Sequence, residues 1–245
     1  MKKQGAESQI QEKNFGEFDN KTSIKEIEAM REAIVEEQDI ELKVPKVSKI
    51  ERKEITEKED KNTTANYPYC NKEGKVLYEI LRRTGRGEPF LVRYKNESGE
   101  YVYKLPKDVD LVPYNLPNVR QAIEEERAFW ITEGESKADT LNRLGFTATT
   151  CAFSGTNKWY SFYNPYIKGA KTILILIDND EASEEFAQLT TQTILEKFED
   201  ISVFPIRINE IYSSLKKGAD IDDLIDKVGE DTVKVTFETI ENTYA

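Results

Sequence analysis

Three carboxylates stand where chemistry can be done: Glu133, Asp178 and Asp180. Glu133 follows the apolar run Phe129–Thr132, while Asp178 and Asp180 close the run Thr172–Ile177. Short apolar runs rich in β-branched residues predict buried strands of a parallel sheet. Functional groups in open α/β sheets collect at the carboxyl ends of the strands. If the two strands are neighbours, all three acids converge on one crevice. Carboxylates at that density repel one another unless they share protons or hold a cation. An oxygen-only ligand set suits magnesium or manganese.

Composition removes several competing chemistries. The chain has 245 residues, 46 acidic against 35 basic, a formal net charge of −11 and no histidine. Without histidine there is no Ser-His-Asp triad, no histidine base and no histidine-ligated zinc. Cys70 and Cys151 are far apart in the chain, so neither a zinc ribbon nor a disulfide framework is supported, and a reducing cytoplasm is the expected setting. The N-terminus lacks the apolar core of a signal peptide, and no apolar run reaches membrane-spanning length. The acidic balance disfavours nonspecific nucleic-acid binding over the whole surface but leaves room for a local basic groove.

The elements that must position the acids follow from periodicity and punctuation. Residues 1–65 form a highly charged arm, expected to be largely disordered. One helix is plausible from Ser23 to Gln38, capped by Ser23 with Glu26 completing a capping box; it is either transient or a docking helix for a partner. A small α+β unit is expected over 66–127, with a strand at Lys75–Arg82 and a hairpin of Phe90–Tyr94 and Tyr101–Leu105 around the turn-forming cluster Asn96–Glu100. From Lys72 to Lys95 there are seven basic and three acidic side chains, including Arg82, Arg83 and Arg86, which can hold phosphates of a nucleic-acid strand or be ordinary solvated residues. From 128 to 230 strands and helices alternate: strand 128–133, helix 136–144 stopped by Gly145, strand 147–152, strand 171–177, helix 181–198, strand 201–207 and an acidic segment near 218–227. A C-terminal helix or tail takes up 231–245.

With these motifs in order, the ordered part resembles the Toprim domain, and within that superfamily the primase segment of phage- and plasmid-type DNA primases and primase-helicases. Glu133, Gly134 and Glu135 with Ala138 and Asp139 resemble the Glu-Gly-Glu-x-x-Ala-Asp stretch of the first motif; Asp178 and Asp180 resemble its Asp-x-Asp; Lys217–Leu224 is similar to the third, acidic motif. The stretch Ala148–Trp159 fits the family's Gly-rich turn before Lys-Trp. The resemblance implies a Rossmann-like parallel sheet flanked by helices and preceded by a small basic α+β subdomain. It also implies a site in which Glu133, Asp178 and Asp180 hold magnesium or manganese, with Asp220 and then Asp223 as further ligands. Glu133 can be ligand or general base. Arg82, Arg83, Arg86, Lys137 and Lys158 are the expected contacts to nucleotide or nucleic acid.

Two positions depart from the family pattern. Lys137 stands where many members carry an acid, and either holds a nucleotide phosphate or marks weakened catalysis; Ser183 replaces the glycine that commonly follows Asp-x-Asp. Trp159 either stacks on a base or is core. The resemblance implies a primase making short RNA primers on single-stranded DNA from nucleoside triphosphates, of phage or mobile-element origin. No zinc module and no P-loop are present, so a separate replicative helicase is an expected partner. The competing readings are a Toprim nuclease cleaving phosphodiesters and a binding module that recruits replication proteins. A topoisomerase is disfavoured, because Tyr244 at the terminus is no substitute for a catalytic tyrosine domain.

Overall fold

The computed structural model describes residues 62–85, 89–107, 109–152 and 159–244. The expected N-terminal helix, Arg86 and Lys158 lie outside the described residues.

Two four-stranded sheets organise these residues. The first is antiparallel, in the order β1–β2–β3–β4, built from β1 (Thr63–Cys70), β2 (Val76–Arg83), β3 (Phe90–Lys95) and β4 (Tyr101–Val102). The second is parallel, in the order β6–β5–β7–β8, from β5 (Phe129–Ile131), β6 (Ala148–Thr149), β7 (Thr172–Ile177) and β8 (Ser202–Arg207). The helices are α1 (Leu116–Glu124), α2 (Glu135–Leu144), α3 (Asn164–Ile167), α4 (Glu181–Leu195), α5 (Ile208–Ile211), α6 (Ile221–Val228) and α7 (Glu230–Tyr244). The described residues thus have the mixed α/β architecture, with a parallel sheet flanked by helices, expected from the alternation.

All six residues of β7 are buried, as a strand covered on both faces requires. Alternation still assigns the faces. Leu174 and Leu176 join Trp130 in one cluster with Leu141 and Leu144 of α2, Leu224 of α6 and Val233 and Phe237 of α7. Ile173, Ile175 and Ile177 join Phe129 and Ile131 in a second cluster with Val119 and Ile123 of α1, Ile167 of α3 and Phe186 and Ile194 of α4. The antiparallel sheet contributes Tyr67, Tyr69, Tyr78, Ile80 and Val92 to the first cluster, so its inner face shares a core with the parallel sheet. Tyr69 and Tyr78 stack at 4.9 Å, and the Tyr69 hydroxyl donates to the buried Glu135 Oε1 at 2.7 Å. Among the described residues no helix is long and apolar enough to cross a membrane.

Several elements are shorter than the sequence predicts. The chain leaves β5 after Ile131, where Thr132 Oγ1 donates to the Gly134 carbonyl at 3.0 Å and starts the turn. β4 ends at Val102, and the Lys104 amide folds back onto the Val102 carbonyl at 3.1 Å. Gly145 ends α2 with φ 100°, the left-handed geometry expected of a glycine stop. Trp159 is fully buried and donates from Nε1 to Asn164 Oδ1 at 3.1 Å, which makes it core.

α7 is fastened to the parallel sheet by a polar contact beside its apolar stripe: Trp130 Nε1 donates to Glu241 Oε1 at 2.6 Å. Burial raises the Glu241 pKa above its ordinary 4.5, and the indole N–H only partly opposes this. A carboxyl whose folded pKa is raised stabilises the fold below its unfolded value, and that contribution is lost as pH rises through the folded value. Glutamine keeps the acceptor and removes the charge. Glu241→Gln is therefore expected to melt higher than wild type at neutral pH and to lose its advantage below pH 4.5; paired thermal melts across that range check the sign.

Candidate active site

Strand order brings the acids together. β5 and β7 are adjacent and parallel, with Ile131 opposite Ile175, so the residues leaving both strands share one edge of the sheet. Asp178 follows β7 directly, and Glu133 lies two residues beyond β5. Between Glu133 and α2 the backbone turns at Gly134, with φ 97°, a conformation that side-chain-bearing residues rarely adopt. The turn is pinned by the Gly134 amide donating to Thr150 Oγ1 at 3.1 Å. α2 begins with no side-chain cap, leaving backbone N–H groups of its first turn facing the same edge.

The third acidic segment is delivered by Asn179. Its Nδ2 donates to the carbonyls of Leu215 (3.1 Å) and Lys216 (2.9 Å), its amide donates to Ala219 O (2.9 Å), and its carbonyl accepts from Gly218 N (2.7 Å). These four bonds hold the 215–219 loop against the end of β7 and set Asp220 beside Asp178. Ser183 is fully buried and braces the first acids: its Oγ accepts from the Asp178 amide at 3.1 Å, and its own amide donates to Asp180 Oδ1 at 2.8 Å. Neither role was legible in the sequence, because asparagine and serine beside a strand end are equally common as plain turn residues.

The site's charge is concentrated at Asp178 and Lys137. Lys137, on the first turn of α2, makes a close ion pair with Asp178 Oδ2. Asp178 is 5% exposed, and its Oδ1 is buried with no hydrogen-bond partner. Burial pushes the Asp178 carboxyl up to about 6; Lys137 opposes the shift, and Asp220 and Glu133 reinforce it. Burial works against the Lys137 ammonium, but Asp178, Glu133 and Asp220 outweigh it and hold its pKa above the ordinary value. One ammonium therefore sits among three carboxylates.

The other acids have structural occupations. Asp180 is the N-cap of α4, accepting the Ser183 amide. Asp220 caps α6 through Oδ1, and Asp223 completes that capping box by accepting the Asp220 amide at 3.1 Å. Glu135 and Asp139, the remaining motif acids, accept the hydroxyls of Tyr69 and Tyr114, each at 2.7 Å. Asp222 rather than Asp223 lines the cavity beside the site, held by Thr140 Oγ1 at 2.8 Å.

That cavity, about 530 Å³, lies between the two sheets. Glu133, Lys137, Asp220 and the start of α2 form one wall, and Tyr67, Arg82 and Phe90 of the antiparallel sheet form the other. Phe90 is 48% exposed. Arg82 bonds the Tyr67 side chain. Arg83, the next residue of β2, belongs to the opposite face of the sheet by strand alternation. Of the expected nucleotide contacts, Arg82 and Lys137 thus come to one cavity.

Among the described residues no three Asp, Glu, Cys or His side chains are gathered as they stand into a metal-holding group. The set nevertheless fits a hard cation in kind: its donors are oxygens, and Asp178 Oδ1 is a buried oxygen lacking a partner. Glu133 is only partly buried and has rotamer freedom to turn toward it, while Asp220 is partly buried and held by its Oδ1 in the α6 cap, which engages one of its two oxygens.

No protein-family model matches the chain, and no curated protein matches it. Solved structures do. The DnaG catalytic core matches with a TM-score of 0.52 and 18% identity, over 71% of this chain and 52% of that one. A DNA primase domain from Pseudomonas aeruginosa matches at 0.52 and 19%, over 70% and 50% respectively. The Aquifex aeolicus primase, comprising zinc-binding and RNA polymerase domains, matches at 0.53 and 18%, over 76% and 45%. The fold resembles that of DNA primase catalytic cores. The chain spans about half the length of these structures. At this identity the likeness is one of fold.

Proposed function

We propose that this protein is a primase-type nucleotidyltransferase that joins ribonucleotides into short primers on single-stranded DNA. The observation that carries the reading is the cavity between the sheets, with one wall bearing Glu133, Asp220 and Lys137, the last paired to Asp178, and a facing wall bearing Arg82 and Phe90. That arrangement suits a nucleoside triphosphate beside a template strand. Magnesium or manganese would be held by Glu133, Asp178 Oδ1 and Asp220, and when bound supplies Lewis-acid charge to phosphate oxygens. The chain's own residues do the rest. Arg82 and the uncapped first turn of α2 offer donors to the triphosphate. Phe90 presents an exposed ring on which a base can stack. Burial of Asp178 keeps water from screening the charge at the reacting phosphate.

Removing Arg82 removes one charge-assisted contact, which corresponds to about 1.5–3 kcal/mol. Arg82→Ala is accordingly expected to weaken nucleoside triphosphate binding at least about tenfold. Fluorescence titration with a labelled triphosphate measures this, and an unchanged Kd would remove Arg82 from the nucleotide site. Metal-dependent cleavage of the template without nucleotide incorporation would instead favour a nuclease.

A further inference from the structure

The contact between Lys137 and Asp178 bears on how many metal ions the site can take. In two-metal phosphoryl transfer the ions lie about 3.5–4 Å apart, commonly sharing a carboxylate between them. The central carboxylate here is Asp178, at the end of β7 and almost wholly buried. Its Oδ2 is occupied by the Lys137 ammonium, while its Oδ1 faces no donor. Lys137 is not a surface lysine that has strayed into the site: it belongs to the first turn of α2, whose Ala138 and Leu141 are fully buried, and its side chain is 18% exposed.

Charge leads to the same count. The three carboxylates that act on Lys137 are Asp178, Glu133 and Asp220. Against one ammonium these three leave a formal charge of about −2, which one divalent ion neutralises. A second dication at Oδ2 would have to displace an ammonium held by the helix that carries it.

We infer that Lys137 is a built-in cation taking the place of one metal ion, and that the site binds a single divalent ion on the Oδ1 side of Asp178. The inference rests on reading these acids as the metal site of the proposed function. Lys137 then serves as a fixed positive charge for a phosphate oxygen, at a position where a dissociable ion would otherwise stand.

Calorimetric titration of the full chain with Mn2+, without nucleotide, tests the count separately from catalysis. Wild type is expected to bind one ion, and Lys137→Arg, which keeps the charge, is expected to do the same. Lys137→Asp is expected to bind two, or to bind the first at least about tenfold more tightly. Circular dichroism melts establish that each variant is folded. Two ions in wild type would overturn the inference, as would a count and affinity unchanged in Lys137→Asp. No ion in wild type would overturn the metal reading of these acids itself. Nucleotide incorporation, assayed separately, reports on the primase reading whichever count is found.

Discussion

Asp178→Asn is expected to lower metal-dependent nucleotide incorporation about a hundred- to a thousandfold, the range for removing one preorganised charge stabiliser at a reacting centre. Asp178 is the residue on which the site's other groups converge: Lys137 pairs with Oδ2, Ser183 Oγ accepts its amide, and Asp220 and Glu133 act on it electrostatically. Asparagine preserves shape and backbone bonds while removing the charge that would hold a cation. The fold should survive the change. Burial already disfavours the ionised Asp178 carboxyl, with its pKa pushed up to about 6, so a neutral amide relieves that burden at neutral pH. The loss of the partner of Lys137 works the other way, with Glu133 and Asp220 remaining as counter-charges. The two effects oppose each other, and a melting temperature close to that of wild type, measured beside the collapsed activity, is the expected pair of results.

Phe237→Ala is expected to cost about 3–5 kcal/mol of stability. The Phe237 ring is fully buried at 4.9 Å from Trp130 and 5.9 Å from Phe146. It is the anchor of α7, whose other fully buried residue is Val233, one turn earlier. Truncation opens a cavity that neither ring can fill without leaving its rotamer. For a chain of this size the loss corresponds to a fall in melting temperature of roughly 10 °C. Trp130 reports the event directly, since its indole loses a ring neighbour and its N–H sits beside Glu241. The consequence reaches the site, because Trp130 is the central residue of β5, the strand that ends beside Glu133.

Much of this arrangement was legible in the sequence, for physical reasons. β7 is a six-residue run, apolar after Thr172, too short for a buried helix and followed by acids, and it pairs with β5 as a crevice of Glu133 and Asp178 requires. Gly145 stopped a helix that nothing else in its sequence would stop. Strand β1 was missed. Its residues Thr63–Cys70 include a proline and three polar residues, Thr63, Thr64 and Asn66, and its burial is confined largely to Tyr67 and Tyr69. The alternation of those two tyrosines was the available signal. The capping contacts of Asp180 and Asp223 were not legible in the sequence, because an acid at a strand-to-helix junction suits a cap and a cation equally well. The departures were informative in a way their types did not announce. Lys137 lies among the acids as a counter-charge, and Ser183 joins Asp178 to Asp180 where a glycine would have no side chain to do so.

The most direct test of the central claim is incorporation of labelled ribonucleotides by the wild-type protein on mixed-sequence single-stranded DNA, with magnesium or manganese present. Short products that require both the template and the metal, and whose sequence is complementary to the template, are the predicted result. Absence of template-dependent products with either metal, while the folded protein still binds the ion, would contradict it.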